Sequence, residues 1–246
     1  MEEKQRQPVS IETIGLSQKE FNTLFILKTL MESPNFPKAL YEELSERFSG
    51  KRHSYAYFCK VAKELAESGH LLLEKEGSFN VYHITKKGES LYQWYQLTFK
   101  ERLSEVKMVI DRFVYDLTGS GENPPVEHEL PDEHRKYFAK LVSVMDLVRY
   151  VTLKAAMKRG HVHMAGIEDI LKQKYGWVTS SGYHYELAKD MERNGLLVGQ
   201  WEGETRTKRL LRITEDGKHH YKQIADSAAE RVQTVQHYLT AVLNYL

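Results

Sequence analysis

The feature that most constrains this chain is that it repeats itself. Ala62-Lys63-Glu64-Leu65, with Gly69 four residues on, returns 126 positions later as Ala188-Lys189-Asp190-Met191 with Gly195. Leu27-Lys28 with Met31 returns at the same spacing as Leu153-Lys154 with Met157, and Ser54 and Tyr57 return as Ser180 and Tyr183. Past the glycines the spacing grows to 129: Ile84-Thr85-Lys86-Lys87-Gly88 with Tyr92 becomes Ile213-Thr214-Glu215-Asp216-Gly217 with Tyr221. The second copy therefore holds three extra residues before its Ile-Thr pair, an insertion of the kind that surface loops absorb. Self-similarity of this kind implies one fold built twice.

Each copy ends in a helical stripe. Phe99, Leu103, Val106, Ile110, Phe113 and Leu117 step by four and three, as do Ala228, Val232, Val235, Leu239, Val242 and Leu246. Such steps draw one apolar seam along a helix and predict helix-to-helix pairing, within the chain or between chains. Between the copies lie Gly119-Ser120-Gly121-Glu122-Asn123-Pro124-Pro125 and an acidic stretch ending near Pro131. That composition marks a linker. The boundary falls near residue 125, giving an N-terminal domain over 1–125 and a C-terminal domain over 126–246.

Within the first copy, Ser17 and Glu20 form a capping box, and Phe21, Leu24, Phe25, Leu27 and Leu30 give the helix behind it an apolar face. Pro34 and Pro37 end that helix. Leu40, Leu44 and Phe48 mark a second helix, closed by Gly50. A third runs from about Ser54 to Ser68, stopped by Gly69. Leu71-Leu72-Leu73 and Val81-Tyr82-His83-Ile84 read as two strands about a turn at Gly77-Ser78, and a fourth, long helix follows Gly88. The second copy repeats the order: Met145 to Arg159, Ala165 to Tyr175, Ser180 to Asn194, a hairpin around Gly203, and a helix after Gly217. Three helices leading into a two-stranded wing form a winged helix-turn-helix. The predicted fold is mainly α with small β-hairpin wings: tandem winged helix-turn-helix domains, each followed by a long C-terminal helix.

Composition narrows the function classes. The chain of 246 residues is 41% hydrophobic, enough for packed cores. Its formal net charge is only +1, so nucleic-acid binding must rest on local patches. One cysteine, Cys59, rules out a disulfide framework within the chain and fits a reducing compartment. The start, Met1-Glu2-Glu3-Lys4-Gln5-Arg6-Gln7, lacks a signal peptide's apolar core, and no apolar run approaches a membrane span, so a soluble cytoplasmic protein is expected. No glycine-rich phosphate loop, nucleophile elbow or metalloprotease motif occurs, which argues against an enzyme.

At the third helix and wing the chain resembles the PadR family of transcriptional regulators. The resemblance is carried by Ser180-Ser181-Gly182-Tyr183-His184-Tyr185 opening the helix, by Met191-Glu192-Arg193-Asn194-Gly195-Leu196-Leu197 ending it, and by Arg209-Leu210-Leu211-Arg212-Ile213-Thr214-Glu215-Asp216-Gly217 returning through the wing. The first copy departs further, with Ala56 at the family's glycine and Cys59 at its tyrosine, though Ile26-Leu27, Pro34 and Leu40-Tyr41-Glu42-Glu43-Leu44 resemble the family's front end. Both copies lack the proline that usually follows the tyrosine, having Lys60 and Glu186. The resemblance spans most of the chain. It implies DNA binding by the third helix and wing and dimerisation through a C-terminal helix, so this chain resembles two protomers fused head to tail. In one branch of that family, aromatic residues on the long helix stack on flat ligands. This extends to a small aromatic effector near Trp94, with Tyr92 and Tyr95, although packing alone also accounts for these rings.

A recognition helix sends polar and basic side chains from its N-terminal half into the major groove. In the first copy these are Lys51, Arg52, His53, Ser54, Tyr55 and Tyr57, with Lys60 and Lys63 beyond. In the second they are Thr179, Ser180, Ser181, Tyr183, His184 and Lys189, aided by a basic wing with Arg206, Lys208, Arg209 and Arg212. The first wing instead sets Glu74 and Glu76 around Lys75, which repels phosphate. The two copies are thus expected to grip double-stranded DNA differently, as a repressor on a pseudo-palindromic operator. The competing reading is a winged-helix protein-interaction module, in which the basic residues are ordinary solvated surface.

His161 and His163 near Glu168, and His219-His220, lack the further ligands that complete a metal site, so no metal or other cofactor is expected. Cys59 on the first recognition helix reads first as a small buried hydrophobe, with redox sensing as the sharper alternative.

Overall fold

The computed structural model describes residues 16–48, 54–202 and 208–246, with only the backbone of Ser181 and Lys208. The predicted Gly50, and the hairpin turn at Gly203, lie outside the described residues. The protein is mainly helical, with tandem winged helix-turn-helix domains, each followed by a long helix. Two compact units form, Met1–Ser104 together with Tyr238–Leu246, and Glu105–His237.

In the first unit the cap predicted at Ser17 is present: its Oγ accepts the Glu20 N–H, and Glu20 Oε2 accepts the Ser17 N–H at 2.7 Å. Two otherwise orphaned donors are satisfied there, and α1 (Gln18–Glu32) begins. Phe21, Leu24, Phe25, Leu27 and Leu30 are all buried along it. Pro37 opens α2 (Pro37–Arg47), where its missing N–H costs nothing. Ser54 Oγ accepts the Tyr57 N–H and starts α3 (Tyr55–Glu67). The strands β1 (Leu71–Glu76) and β2 (Phe79–Ile84) pair antiparallel, with Leu72 opposite His83 and Glu74 opposite Val81. A short third rung, Asn35 against Tyr82, ties the segment after α1 to the wing.

The Thr-x-x-Gly motif has a structural meaning in both copies. Thr85 Oγ1 donates to the carbonyls at the end of α3, at Gly69 (2.8 Å) and His70 (3.0 Å), and accepts the Gly88 N–H. The helix α4 (Lys86–Thr118) therefore begins before Gly88 rather than after it. Gly88 sits in its first turn because a Cβ there would lie 2.3 Å from the His70 carbonyl oxygen. Thr214 and Gly217 repeat the arrangement, with Thr214 Oγ1 on the Gly195 carbonyl and a Gly217 Cβ 2.2 Å from the Leu196 oxygen.

In the second unit, Ser143 caps α6 (Val144–Arg159) through the Asp146 N–H. The helix α7 (Met164–Ile170) passes into a π-helical turn, Leu171–Tyr175, ended by Gly176 in the left-handed region. Then come α8 (Ser181–Arg193), β3 (Leu197–Glu202), β4 (Lys208–Ile213) and α9 (Glu215–Leu243). Val162 pairs with Leu211 as Asn35 does with Tyr82.

Two features here depart from the sequence reading. An extra helix, α5 (Asp132–Leu141), follows Pro131 and buries Phe138 and Leu141. Phe138 and Tyr175 flank Phe113, and Trp177 closes the aromatic cluster. The Pro-Gly segment is also fastened down. The buried Arg112 guanidinium donates to the carbonyls of Pro124 (2.9 Å), Pro125 (2.6 Å) and Tyr175 (2.9 Å), and the Leu130 N–H donates to Gly176. Three charge-assisted bonds to carbonyls compensate the burial of that charge.

The long helices exchange their ends. The last residues of the second repeat, Tyr238–Leu246, belong to the first unit, and the last turns of α4 belong to the second. The packing therefore does not follow the single cut near residue 125. In the first unit the Tyr92 hydroxyl donates to the Tyr245 carbonyl and Gln96 to the Leu246 carbonyl. In the second, Gln236 donates to Asp111 at 2.7 Å. Every expected seam residue is buried (Phe99, Leu103, Val106, Ile110, Phe113, Val232, Val235, Leu239, Val242 and Leu246) except Leu117, which is half-buried. Among the described residues no helix is long and apolar enough to cross a membrane.

Candidate nucleic-acid interface

In the first unit the candidate face is α3. Lys51, Arg52 and His53 lie outside the described residues. Ser54 is exposed but its hydroxyl is engaged in capping, and Tyr55 is exposed with its ring 5.0 Å from Tyr41. Tyr57 is half-buried. Lys60 and Lys63 are exposed, each one helical turn from an acid: Lys60 lies 3.9 Å from Glu64 and Lys63 lies 3.5 Å from Glu67. Such surface pairs are weak and break readily, yet the acids also repel phosphate. Glu64 is held more firmly by Lys19 at 2.6 Å, whose hydrogen bond lowers the Glu64 pKa. Cys59 is half-buried on this helix.

In the second unit the candidate face is α8 with its wing. Ser180 and Tyr185 are exposed, Thr179 and Tyr183 are half-buried, and Lys189 is exposed and bonded to Glu186 at 2.8 Å. His184 departs from the expectation of a surface recognition residue. It is only 1% exposed, and its Nε2 meets the Thr179 hydroxyl. Burial lowers its pKa, so it is a neutral core residue and does not reach a groove. Helical spacing explains this: positions 184, 188 and 191 share the inward face with Ala188 and Met191.

The wing divides its arginines between two faces. Arg209 lies on the same side as buried Leu211 and grips Glu192 of α8 with two hydrogen bonds, 3.1 and 2.7 Å, while stacking 5.1 Å over Trp201. It fastens the wing to the helix, so its guanidinium is only partly available. Arg212 points to the other face, exposed and opposite Val198. Arg206 lies outside the described residues, as does the Lys208 side chain.

Two sites escaped the sequence reading. Between α8, the wing and the start of α7 lies a cleft of about 610 Å³ lined by Met164, Tyr185, Lys189, Trp201 and Arg209 among others. Its rings come from separate elements, so no local pattern marks it. The second site is an ionic hub on Asp116, whose side chain is only 8% exposed. Its carboxylate accepts from Lys154 (2.8 Å), Tyr150 (3.0 Å), Tyr175 (2.5 Å) and Lys174. Burial alone would raise this carboxyl, but those donors outweigh it and hold its pKa at about 2. The same environment drives the Tyr150 and Tyr175 hydroxyls well above the ordinary tyrosine range, so both stay protonated donors.

No known family model matches the chain, and no curated protein matches it.

Proposed function

We propose that this protein is a sequence-specific DNA-binding transcriptional regulator of the PadR-like type, a repressor acting in the cytoplasm and not an enzyme. The observation that carries the reading is that the second unit leaves residues at the cap and along α8 exposed (Ser180, Tyr185 and Lys189) and also bears an exposed arginine, Arg212, on the wing that follows it. In a winged helix these are the elements that meet the major groove and the adjoining backbone. The first unit supplies a second, weaker grip, with Lys60 and Lys63 neutralised in part by their own helix. Linking two modules in one chain lets the second bind at high effective concentration. Replacing Arg206, Lys208 and Arg212 with Ala should weaken DNA binding and flatten its dependence on salt. Unchanged affinity and slope would remove the wing from this reading.

One observation favours a second reading. The cleft against Trp201, Tyr185 and Met164 is lined by large side chains of the kind that anchor partners at protein interfaces. A protein-interaction module would use it to hold an apolar side chain. Trp201→Ala distinguishes the two: loss of a protein partner with DNA binding intact favours the interaction module.

A further inference from the structure

The two wings carry opposite chemistry at the same place in the hairpin. In the second wing the residue opposite Val198 is Arg212; in the first, the residue opposite Leu72 is His83. Leu72 and Val198 are related by the repeat spacing of 126, and His83 and Arg212 by 129. Around His83 stand Glu74 and Glu76, two residues apart on β1 and therefore on one face of the strand. His83 Nε2 lies 3.1 Å from Glu76 Oε1 and 3.6 Å from Glu74 Oε2, and the three ligand atoms lie within 4.8 Å of one another. At the positions of Glu74 and Glu76 the second wing has Gln200 and Glu202.

A first-row divalent ion bound at about 2.0–2.2 Å to nitrogen and oxygen sets its ligand atoms roughly 3.0–3.5 Å apart. The spacings at His83 are already near that. Imidazole with two carboxylates suits Zn²⁺-like ions rather than Mg²⁺, which prefers oxygen and keeps its water shell. Without an ion, one ring nitrogen faces both carboxylates. The second wing cannot hold an ion in this place, because a guanidinium does not ligate metal, yet it already carries a positive charge there.

We propose that the first wing is a Zn²⁺-class metal site, with His83 Nε2, Glu74 and Glu76 as its three protein ligands and water completing the shell. The ion supplies at this wing the positive charge that Arg212 supplies at the other. The site itself does not depend on the DNA reading; its role in charge compensation rests on it.

Calorimetric titration of the full chain with ZnCl₂ tests the site. The chain has other histidine pairs, so the comparison with a variant decides. The wild type is expected to take up one more equivalent of Zn²⁺ than His83→Ala, and the double variant Glu74→Gln, Glu76→Gln should lose the same equivalent. MgCl₂ should produce no saturable heat. Unaltered helical circular dichroism shows that the variants fold. Equal Zn²⁺ stoichiometry and affinity in wild type and His83→Ala overturn the site. The charge role is tested with His83→Arg, which copies the second wing. Zn²⁺ should tighten DNA binding by the wild type, and His83→Arg without the ion should bind more tightly than the metal-free wild type. Zn²⁺ uptake at His83 with unchanged DNA affinity overturns the charge role while the site stands. If no form of the protein retains DNA, the regulator reading fails, and the Zn²⁺ stoichiometry still decides the site.

Discussion

In the first unit Tyr245, at the end of α9, packs its ring 5.2 Å from Phe25 and 5.6 Å from Phe48, with Arg47 5.7 Å above it. In the second unit the repeat-equivalent position, 129 residues earlier, is Asp116 on α4, which gathers Lys154, Lys174, Tyr150 and Tyr175. Both residues are the far end of one repeat's long helix seated against the other repeat's winged helix. The socket is shared; its contents are not. One is filled by aromatic packing, which is indifferent to pH, and the other by a desolvated carboxylate whose value depends on its donors. The same division runs through the surfaces. The first unit shows lysines paired with acids on α3 and an acidic wing, while the second commits Arg209 to its own helix and leaves Arg212 outward.

The largest effect is expected at the aromatic socket. Tyr245→Ala should cost about 3 kcal/mol, because buried ring packing goes and a cavity is left behind. Denaturant unfolding followed by far-ultraviolet circular dichroism measures it, and a cost below about 1 kcal/mol would show that the end of α9 is not seated in the first unit. Next come the paired glycines. Gly88→Ala and Gly217→Ala should each cost about 2–3 kcal/mol, because each Cβ meets a carbonyl oxygen at 2.3 or 2.2 Å. Similar losses in the two variants would show one joint built twice; a neutral result at either would mean that the joint relaxes there.

The ionic socket should reveal itself through pH. The Asp116 carboxyl titrates at about 2 in the fold against an ordinary 3.8, so its folded pKa is depressed. Its contribution of about 2 kcal/mol is complete above about pH 4 and is lost as pH falls from about 4 to about 2. Asp116→Asn should flatten the acid limb of a stability-versus-pH curve over that window. An identical limb in the variant would assign the acid sensitivity to other carboxylates.

Much of the architecture was legible because it is local. Capping at Ser17 and Ser54, the left-handed glycines at 69 and 195, and the register of the first wing all follow from short-range chemistry that the sequence displays. The exchange of helix ends was not, since a seam shows that a helix needs a partner without saying which one. The helix α5 was hidden by its shortness, although Phe138 and Leu141 at a spacing of three behind Pro131 were a usable signal. The linker composition at 119–125 gave no hint of Arg112, which clamps it from a different element. At the candidate site, closeness to the helix start groups His184 with surface residues, and only its place on the inward face of α8 separates it from them. The partner of Arg209, Glu192, lies 17 positions away, too far for a local pattern to show the pair.

The smallest predicted effect sharpens the contrast between the surfaces. Lys60→Ala with Lys63→Ala should change DNA affinity by less than about threefold, since Lys63 faces Glu67 one turn away and Lys60 is offset in part by Glu64, which Lys19 also holds. Filter binding at fixed salt reads this, and a weakening of about tenfold or more would make α3 the main DNA-binding surface instead.

The most direct test of the central claim is retention of fragmented genomic DNA across a salt series, comparing wild type with the triple variant Arg206→Ala, Lys208→Ala, Arg212→Ala. The expected result is enrichment of a few intergenic fragments, affinity that falls steeply with salt, and a slope about three smaller in the triple variant, near one for each phosphate no longer neutralised. No retention by the wild type even at low salt would contradict it and leave the cleft at Trp201 and Tyr185, with a protein partner, as the better account of what this fold is for.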